Sequence, residues 1–124
     1  MVYNLPKLPV REENSNKGTF GKILNVSGSE YMTGAACLSS VAALRTGAGY
    51  VELASHENAL KAAACLSPEI VLAPIDKISE IIKSSTVLLI GCGLSTTANA
   101  VRIFKDTLEL AEKISTVIDA DGLN

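Results

Sequence analysis

Residues 17–55, KGTFGKILNVSGSEYMTGAACLSSVAALRTGAGYVELAS, constrain the fold more than any other stretch of the chain. Residues 22–27 (KILNVS) have the β-branched and apolar content of a buried strand. Gly28-Ser29 breaks it, and Thr33 reads as the N-cap of a helix whose first turn, Gly34, Ala35 and Ala36, is almost free of side chains. That helix runs to about Thr46, with Leu38, Val41, Ala42 and Arg45 on one side. Gly47 and Gly49 stop it, and residues 50–54 begin a second strand. Strand, helix, strand is a βαβ unit, which implies parallel pairing. The small residues at the helix start have two readings. A ligand can approach free backbone N–H groups there, or Gly34, Ala35 and Ala36 allow tight packing of helix on sheet.

The rest of the chain repeats the alternation. Residues 1–16 read as an extended lead-in, with Pro6 and Pro9 turning their neighbours away from helix. Lys17, just before the first strand, either meets a phosphate or is solvated. A helix over Glu57–Leu66 follows His56, the only histidine, which has no second ligand at metal spacing and reads as a cap or surface residue. Residues 69–74 form a third strand. Asp76 can cap the next helix, where Ile78, Ile81 and Ile82 share a face. Residues 86–90 (TVLLI) are continuously apolar, so this strand is expected to be buried on both faces. Residues 98–113 form the clearest helix, with Val101, Phe104, Leu108 and Ala111 as its buried stripe and Arg102/Asp106 and Lys105/Glu109 as i, i+4 pairs. Residues 115–120 make a fifth strand. The fold class is α/β, a mainly parallel sheet flanked by helices.

Composition excludes several roles. A net charge of −2 gives no electrostatic case for nucleic acid or an anionic membrane surface. No apolar run approaches the ~20 residues of a membrane span, and the N-terminal residues lack an apolar signal core. Cys37, Cys65 and Cys92 are scattered, form no CxxC and sit in mostly apolar runs, as buried, reduced thiols of a cytoplasmic protein do.

In an open α/β sheet ligands bind beyond the carboxyl ends of the strands. Three such ends carry unusual residues: Gly28-Ser29, the run from Gly91 to Ser95, and Asp119, Asp121 and Asn124. Gly91-Cys92-Gly93-Leu94-Ser95-Thr96 begins like a dinucleotide fingerprint, but Thr96 stands where the third glycine belongs, so a nicotinamide-dehydrogenase reading is weak. Asp119 and Asp121 share a face if the strand continues through both, as a carboxylate pair would; Gly122 argues that it has already ended. Asp121 either holds a hydrated cation or ligand hydroxyl, or caps a following helix.

Four segments, in order, resemble the ADP/ATP-dependent NAD(P)H-hydrate dehydratases, which are similar in fold to ribokinase-type sugar kinases. They are KGTFGK at residues 17–22, Gly28-Ser29 with Gly34-Ala35-Ala36, AALRTGAG at residues 42–49, and VIDADGLN at residues 117–124. The resemblance implies a repair reaction. The ring hydroxyl of hydrated NADH or NADPH is phosphorylated by ADP or ATP with Mg²⁺, and phosphate then leaves to restore the cofactor. It implies Ala35 and Gly93 as substrate contacts, with Asp121 and Asn124 in a strand-end motif near the reacting centre.

There are departures. The family turn is usually GPGLG; here it is GCGLS, with Cys92 and Ser95 substituted. The family's TPH segment, its lysine-glycine phosphate segment and the GTGD loop carrying its catalytic aspartate do not occur in these 124 residues. The resemblance therefore covers the N-terminal part of the domain, residues 17–124, and the ribokinase-like sheet is expected to be incomplete. No catalytic residue or metal ligand is assigned within the chain. The expected partners are the hydrated nucleotide and either further copies of the chain or a C-terminal half. The alternatives are a ribokinase-like small-molecule kinase, and a non-catalytic half-domain that assembles with a partner.

Overall fold

The computed structural model describes Lys7, Val10 and residues 12–124. Most of the extended lead-in expected for residues 1–16 lies outside these. Of its last residues, Glu13 and Asn14 turn and Asn16 caps a single 3-10 turn, Lys17–Phe20, its side chain accepting from the Gly18 N–H at 2.8 Å.

Five strands follow: β1 (Lys22–Val26), β2 (Tyr50–Ser55), β3 (Val71–Pro74), β4 (Val87–Ile90) and β5 (Ser115–Ile118). All pair in parallel, in the order β3-β2-β1-β4-β5. The helices are α1 (Thr33–Arg45), α2 (Glu57–Leu66), α3 (Ile78–Ile81) and α4 (Ala98–Leu110). Alternation along the strands divides the core in two. Leu24, Val26, Leu88 and Ile90 pack with Ile78, Ile82, Ala100 and Ala111 from the α3–α4 layer. Leu53 packs on the opposite side with Ala36 and Cys37 of α1 and Ala59 and Ala63 of α2. The small residues of α1 and α2 let these two helices lie close to the sheet.

Several boundaries and faces differ from expectation. Helix α1 begins one residue early: Met32 holds the cap position without a side-chain hydrogen bond, and Thr33 is already helical. Its buried residues are Ala36, Cys37, Ser40 and Ala43. The Leu38–Ala42–Arg45 side turns outward, leaving Leu38 72% exposed. Asp76 caps nothing; it lies inside a 3-10 turn, Ile75–Lys77, that leads into the single turn of α3. Helix α4 is set by Thr97, whose hydroxyl accepts from the Ala100 N–H at 3.3 Å. Its inward stripe is Ala100, Ile103, Phe104, Thr107, Leu108 and Ala111, and Val101 is 41% exposed. Thr107 is buried without penalty because its hydroxyl donates to the Ile103 carbonyl at 2.6 Å.

Strand β4 is buried on one face only. Leu88 and Ile90 are inaccessible, whereas Val87 and Leu89 are half-buried. Leu89 sits in register between Asn25 of β1 and Val117 of β5. Asn25 bonds Ser39 and Ser40 of α1, both at 2.9 Å, so this row lies on the α1 side. Helix α1 covers Asn25 but not the end of the row: Val117 is 52% exposed. Among the described residues nothing covers β4 and β5 on that side, in keeping with the incomplete sheet expected from the sequence. Cys37 is buried and Cys92 half-buried, but Cys65 is exposed, against expectation, on the outer side of α2. All three are free thiols.

Candidate functional site

The strand order fixes where a ligand can sit. From β1 the chain leaves through α1 toward β2; from the adjacent β4 it leaves through α4 toward β5. Successive connections diverge at this switch point, and a crevice opens between the carboxyl ends of β1 and β4. The loops around it are tied together. The Gly28 N–H donates to the Cys92 carbonyl at 2.8 Å, Gly91 to Val26 at 3.1 Å, and Asp119 to Ile90 at 3.2 Å.

The turn after β4 is left-handed at three of five residues: Gly91 (φ 118°), Gly93 (φ 64°) and Ser95 (φ 77°). A Cβ on Gly91 would lie 2.1 Å from the Asp119 carbonyl oxygen, so a glycine is needed for β5 to end against β4. A Cβ on Gly93 would lie 2.6 Å from Ala35 Cβ and 3.0 Å from Met32 Cβ. Gly93 is buried and Ala35 half-buried. The two predicted substrate contacts, far apart in sequence, therefore meet, and part of the reason both are small is that they touch each other. Ala36 likewise serves packing, its Cβ 2.7 Å from where a Cβ on Gly28 would stand, whereas Gly34 faces open space.

Ser95 carries the strain that a glycine would avoid. Its backbone N–H donates to Asp121 Oδ2 at 2.8 Å, and a carboxylate acceptor makes that bond a strong one. Asp121 thus buttresses the β4 turn. Asp119 goes elsewhere: the Cys92 thiol donates to its Oδ2 at 3.7 Å. Strand β5 ends at Ile118 and a 3-10 turn, Ala120–Leu123, follows, so the two carboxylates do not act as a pair on one strand face. Burial and the neighbouring Asp119 carboxylate push the Cys92 thiol above its ordinary pKa, away from the nucleophilic thiolate. Asn124 is exposed, its N–H 3.4 Å from the Asp121 carbonyl.

Lys17 is far from these loops. Its ammonium lies 5.5 Å from the ring centroid of Tyr50, which opens β2 at the amino edge of the sheet. His56 is the N-cap of α2, Nδ1 accepting from the Asn58 N–H at 3.2 Å. Among the described residues no three His, Cys, Asp or Glu side chains converge as a metal cage, and no helix is long and apolar enough to cross a membrane.

Beside the Ala35–Gly93 contact the crevice opens into a cleft of about 340 Å³. Its walls come from the loop after β1, from His56 after β2, from Ile75 after β3, and from Leu94 and the first turns of α4. None of Tyr31, Ile75, Asn99 or Ile103 stands out in the sequence. The available signal was positional, since the loop residues each follow the carboxyl end of a strand.

Comparison with known proteins agrees with this geometry. Residues 23–124 match the profile of the NAD(P)H-hydrate dehydratase family. The chain is 32% identical, over 97% of its length, to a bifunctional NAD(P)H-hydrate repair enzyme of Methanothermobacter thermautotrophicus, of which it covers 25%. It is 33% identical, over 94% of its length, to an ADP-dependent (S)-NAD(P)H-hydrate dehydratase of Listeria monocytogenes, of which it covers 44%. A Bacillus subtilis ADP/ATP-dependent NAD(P)H-hydrate dehydratase co-crystallised with ATP and Mg²⁺ superposes with a TM-score of 0.79 at 30% identity, over 94% of this chain and 43% of that one. The chain thus spans less than half the length of each of these relatives. With its profile matched almost throughout and its five parallel strands superposing on a solved member, the chain belongs to the NAD(P)H-hydrate dehydratase family.

Proposed function

We propose that this chain works in the ADP- or ATP-dependent dehydration of hydrated NADH and NADPH, and that residues 17–124 form the N-terminal part of the dehydratase domain. The observation that carries the reading is the meeting of Ala35 and Gly93 at the switch-point crevice. Two small residues there bring the turn after β4 against the first turn of α1, whose N-terminal dipole is directed at the crevice. In this reading Ala35 and Gly93 lie against the hydrated nicotinamide. Asp121 holds the β4 turn in shape through Ser95, and Asn124 stands at the rim near the reacting hydroxyl. Phosphoryl transfer depends mainly on positioning and charge stabilisation. The groups for those tasks are expected outside these residues, because the family's GTGD loop does not occur among them. Mg²⁺ would arrive with the phosphates of ADP or ATP. A cytoplasmic setting accords with three free thiols.

The test is an assay of the protein purified from its source cell. Hydrated NADH is mixed with Mg²⁺ and ADP or ATP, and the return of reduced-nicotinamide absorbance is followed beside a panel of sugars and vitamins. We expect NADH to be restored and the panel to stay unphosphorylated. Phosphorylation of a sugar with no restoration of NADH would favour the kinase reading instead. The 124-residue chain by itself is expected to be inert in the same assay.

A further inference from the structure

The cleft beside the Ala35–Gly93 contact has a chemistry of its own. Its volume, about 340 Å³, falls in the roughly 300–1,000 Å³ range of small-molecule sites. Its apolar lining comes from Ile75, Leu94, Ala100 and Ile103. Its polar groups are mostly donors. His56 Nδ1 is an acceptor in the α2 cap, which leaves Nε2 as the ring's donor. Asn99 accepts from Arg102 at 3.0 Å through Oδ1, which leaves its amide hydrogens to donate. Thr97 accepts from the Ala100 N–H, which leaves its hydroxyl hydrogen to donate. One carboxylate, Glu30, stands at the rim beside the Tyr31 hydroxyl, whose pKa it raises by accepting a hydrogen bond.

An apolar lining with donors above it suits a flat ring that carries a phosphate. The single carboxylate suits ribose hydroxyls, which donate. A free phosphate would leave the apolar lining unused, and an acyl chain would leave the donors unpaired. The cleft shares Gly28, Ser29, Leu94 and Ser95 with the two loops that frame the Ala35–Gly93 contact. We propose that this cleft is the subsite for the adenosine phosphate half of the dinucleotide, with its ring against Leu94 and Ile103 and its phosphate facing His56 and Asn99. The assignment to the dinucleotide rests on the dehydratase reading above, which places the nicotinamide half at Ala35 and Gly93. ADP carries the same adenosine phosphate unit, so the experiment must separate the two sources.

The test is calorimetric titration of the folded 124-residue chain with AMP, NADH, ADP with Mg²⁺, and inorganic phosphate. Two variants accompany it. His56→Asn keeps a side-chain acceptor for the α2 cap and withdraws the longer reach of Nε2. Ile103→Trp fills the cleft. We expect AMP and NADH to bind and phosphate alone not to. His56→Asn should weaken AMP and NADH about tenfold, the worth of one hydrogen bond to a charged group. Ile103→Trp should abolish both, together with any ADP that enters the cleft through the same adenosine phosphate unit. No AMP binding to the folded chain overturns the proposal, as does AMP binding indifferent to His56→Asn. Loss of ADP binding with NADH unaffected overturns the assignment to the dinucleotide. The dehydratase reading fails separately, in the turnover assay with hydrated NADH.

Discussion

The contact between Gly93 and Ala35 can be tested by a double-mutant cycle. Gly93→Ala places a methyl group 2.6 Å from Ala35 Cβ and 3.0 Å from Met32 Cβ, at a residue with φ of 64°. The left-handed conformation costs an L-residue about 1–2 kcal/mol, and overpacking a filled site typically costs about 1–3 kcal/mol. Their sum is about 2–5 kcal/mol, a large part of the ~5–15 kcal/mol of a typical domain. Ala35→Gly costs about 0.5–1 kcal/mol of helix propensity. In the double variant the nearest obstacle is gone, while the left-handed strain and the Met32 contact remain. Ala35→Gly should therefore recover about 1–2 kcal/mol of the Gly93→Ala loss, a coupling energy of the size seen between touching residues. Urea denaturation followed by circular dichroism measures all four corners. Additivity within about 0.5 kcal/mol would refute the packing argument, and so would a Gly93→Ala protein as stable as the parent. The same contact bears on Ala35→Leu, which should lower stability as well as binding, so stability must be measured beside any change in KM.

Ser95→Gly should stabilise the fold by about 1 kcal/mol, by relieving a left-handed serine while keeping the N–H that Asp121 accepts; denaturant titration reads this, and a loss of stability would contradict it. Thiol alkylation followed by mass should modify the exposed Cys65 first. Cys92, with its thiol pKa raised by burial and by Asp119, and Cys37, raised by burial, should follow slowly and speed up as pH rises, because a higher pKa leaves less thiolate at a given pH; Cys92 reacting first would count against a purely structural role. Val117→Glu places a charge on the uncovered apolar side of β4 and β5 and should reduce self-association in sedimentation velocity without lowering stability. Unchanged association would show that this face is not the sticky one.

The architecture was legible because each level of the sequence agreed with the next. Five short apolar runs, separated by helix-period segments and glycine breaks, became five parallel strands. Phase was harder. Val101 and Ala100 are both apolar, and only the Thr97 cap and the approach of α4 to the sheet decide which points inward. The burial of β4 was overestimated because an apolar strand reports what it needs covered, not whether a neighbour covers it. Of the two readings of Lys17 the structure supports the exposed one, as its position suggests: a residue just before a strand lies at the amino edge, away from the ligand crevice. Asp121 was expected at the site, but its bond to Ser95 joins two segments that no local pattern connects. The cleft escaped for the same reason, since its walls come from separate loops and carry no motif.

The most direct measurement of the central claim is a binding titration of the 124-residue chain, shown to be folded by circular dichroism, with hydrated NADH and with ribose. The account predicts saturable binding of hydrated NADH, lost in Ala35→Leu protein that remains folded, and no binding of ribose. A folded chain that binds ribose and ignores hydrated NADH would contradict it.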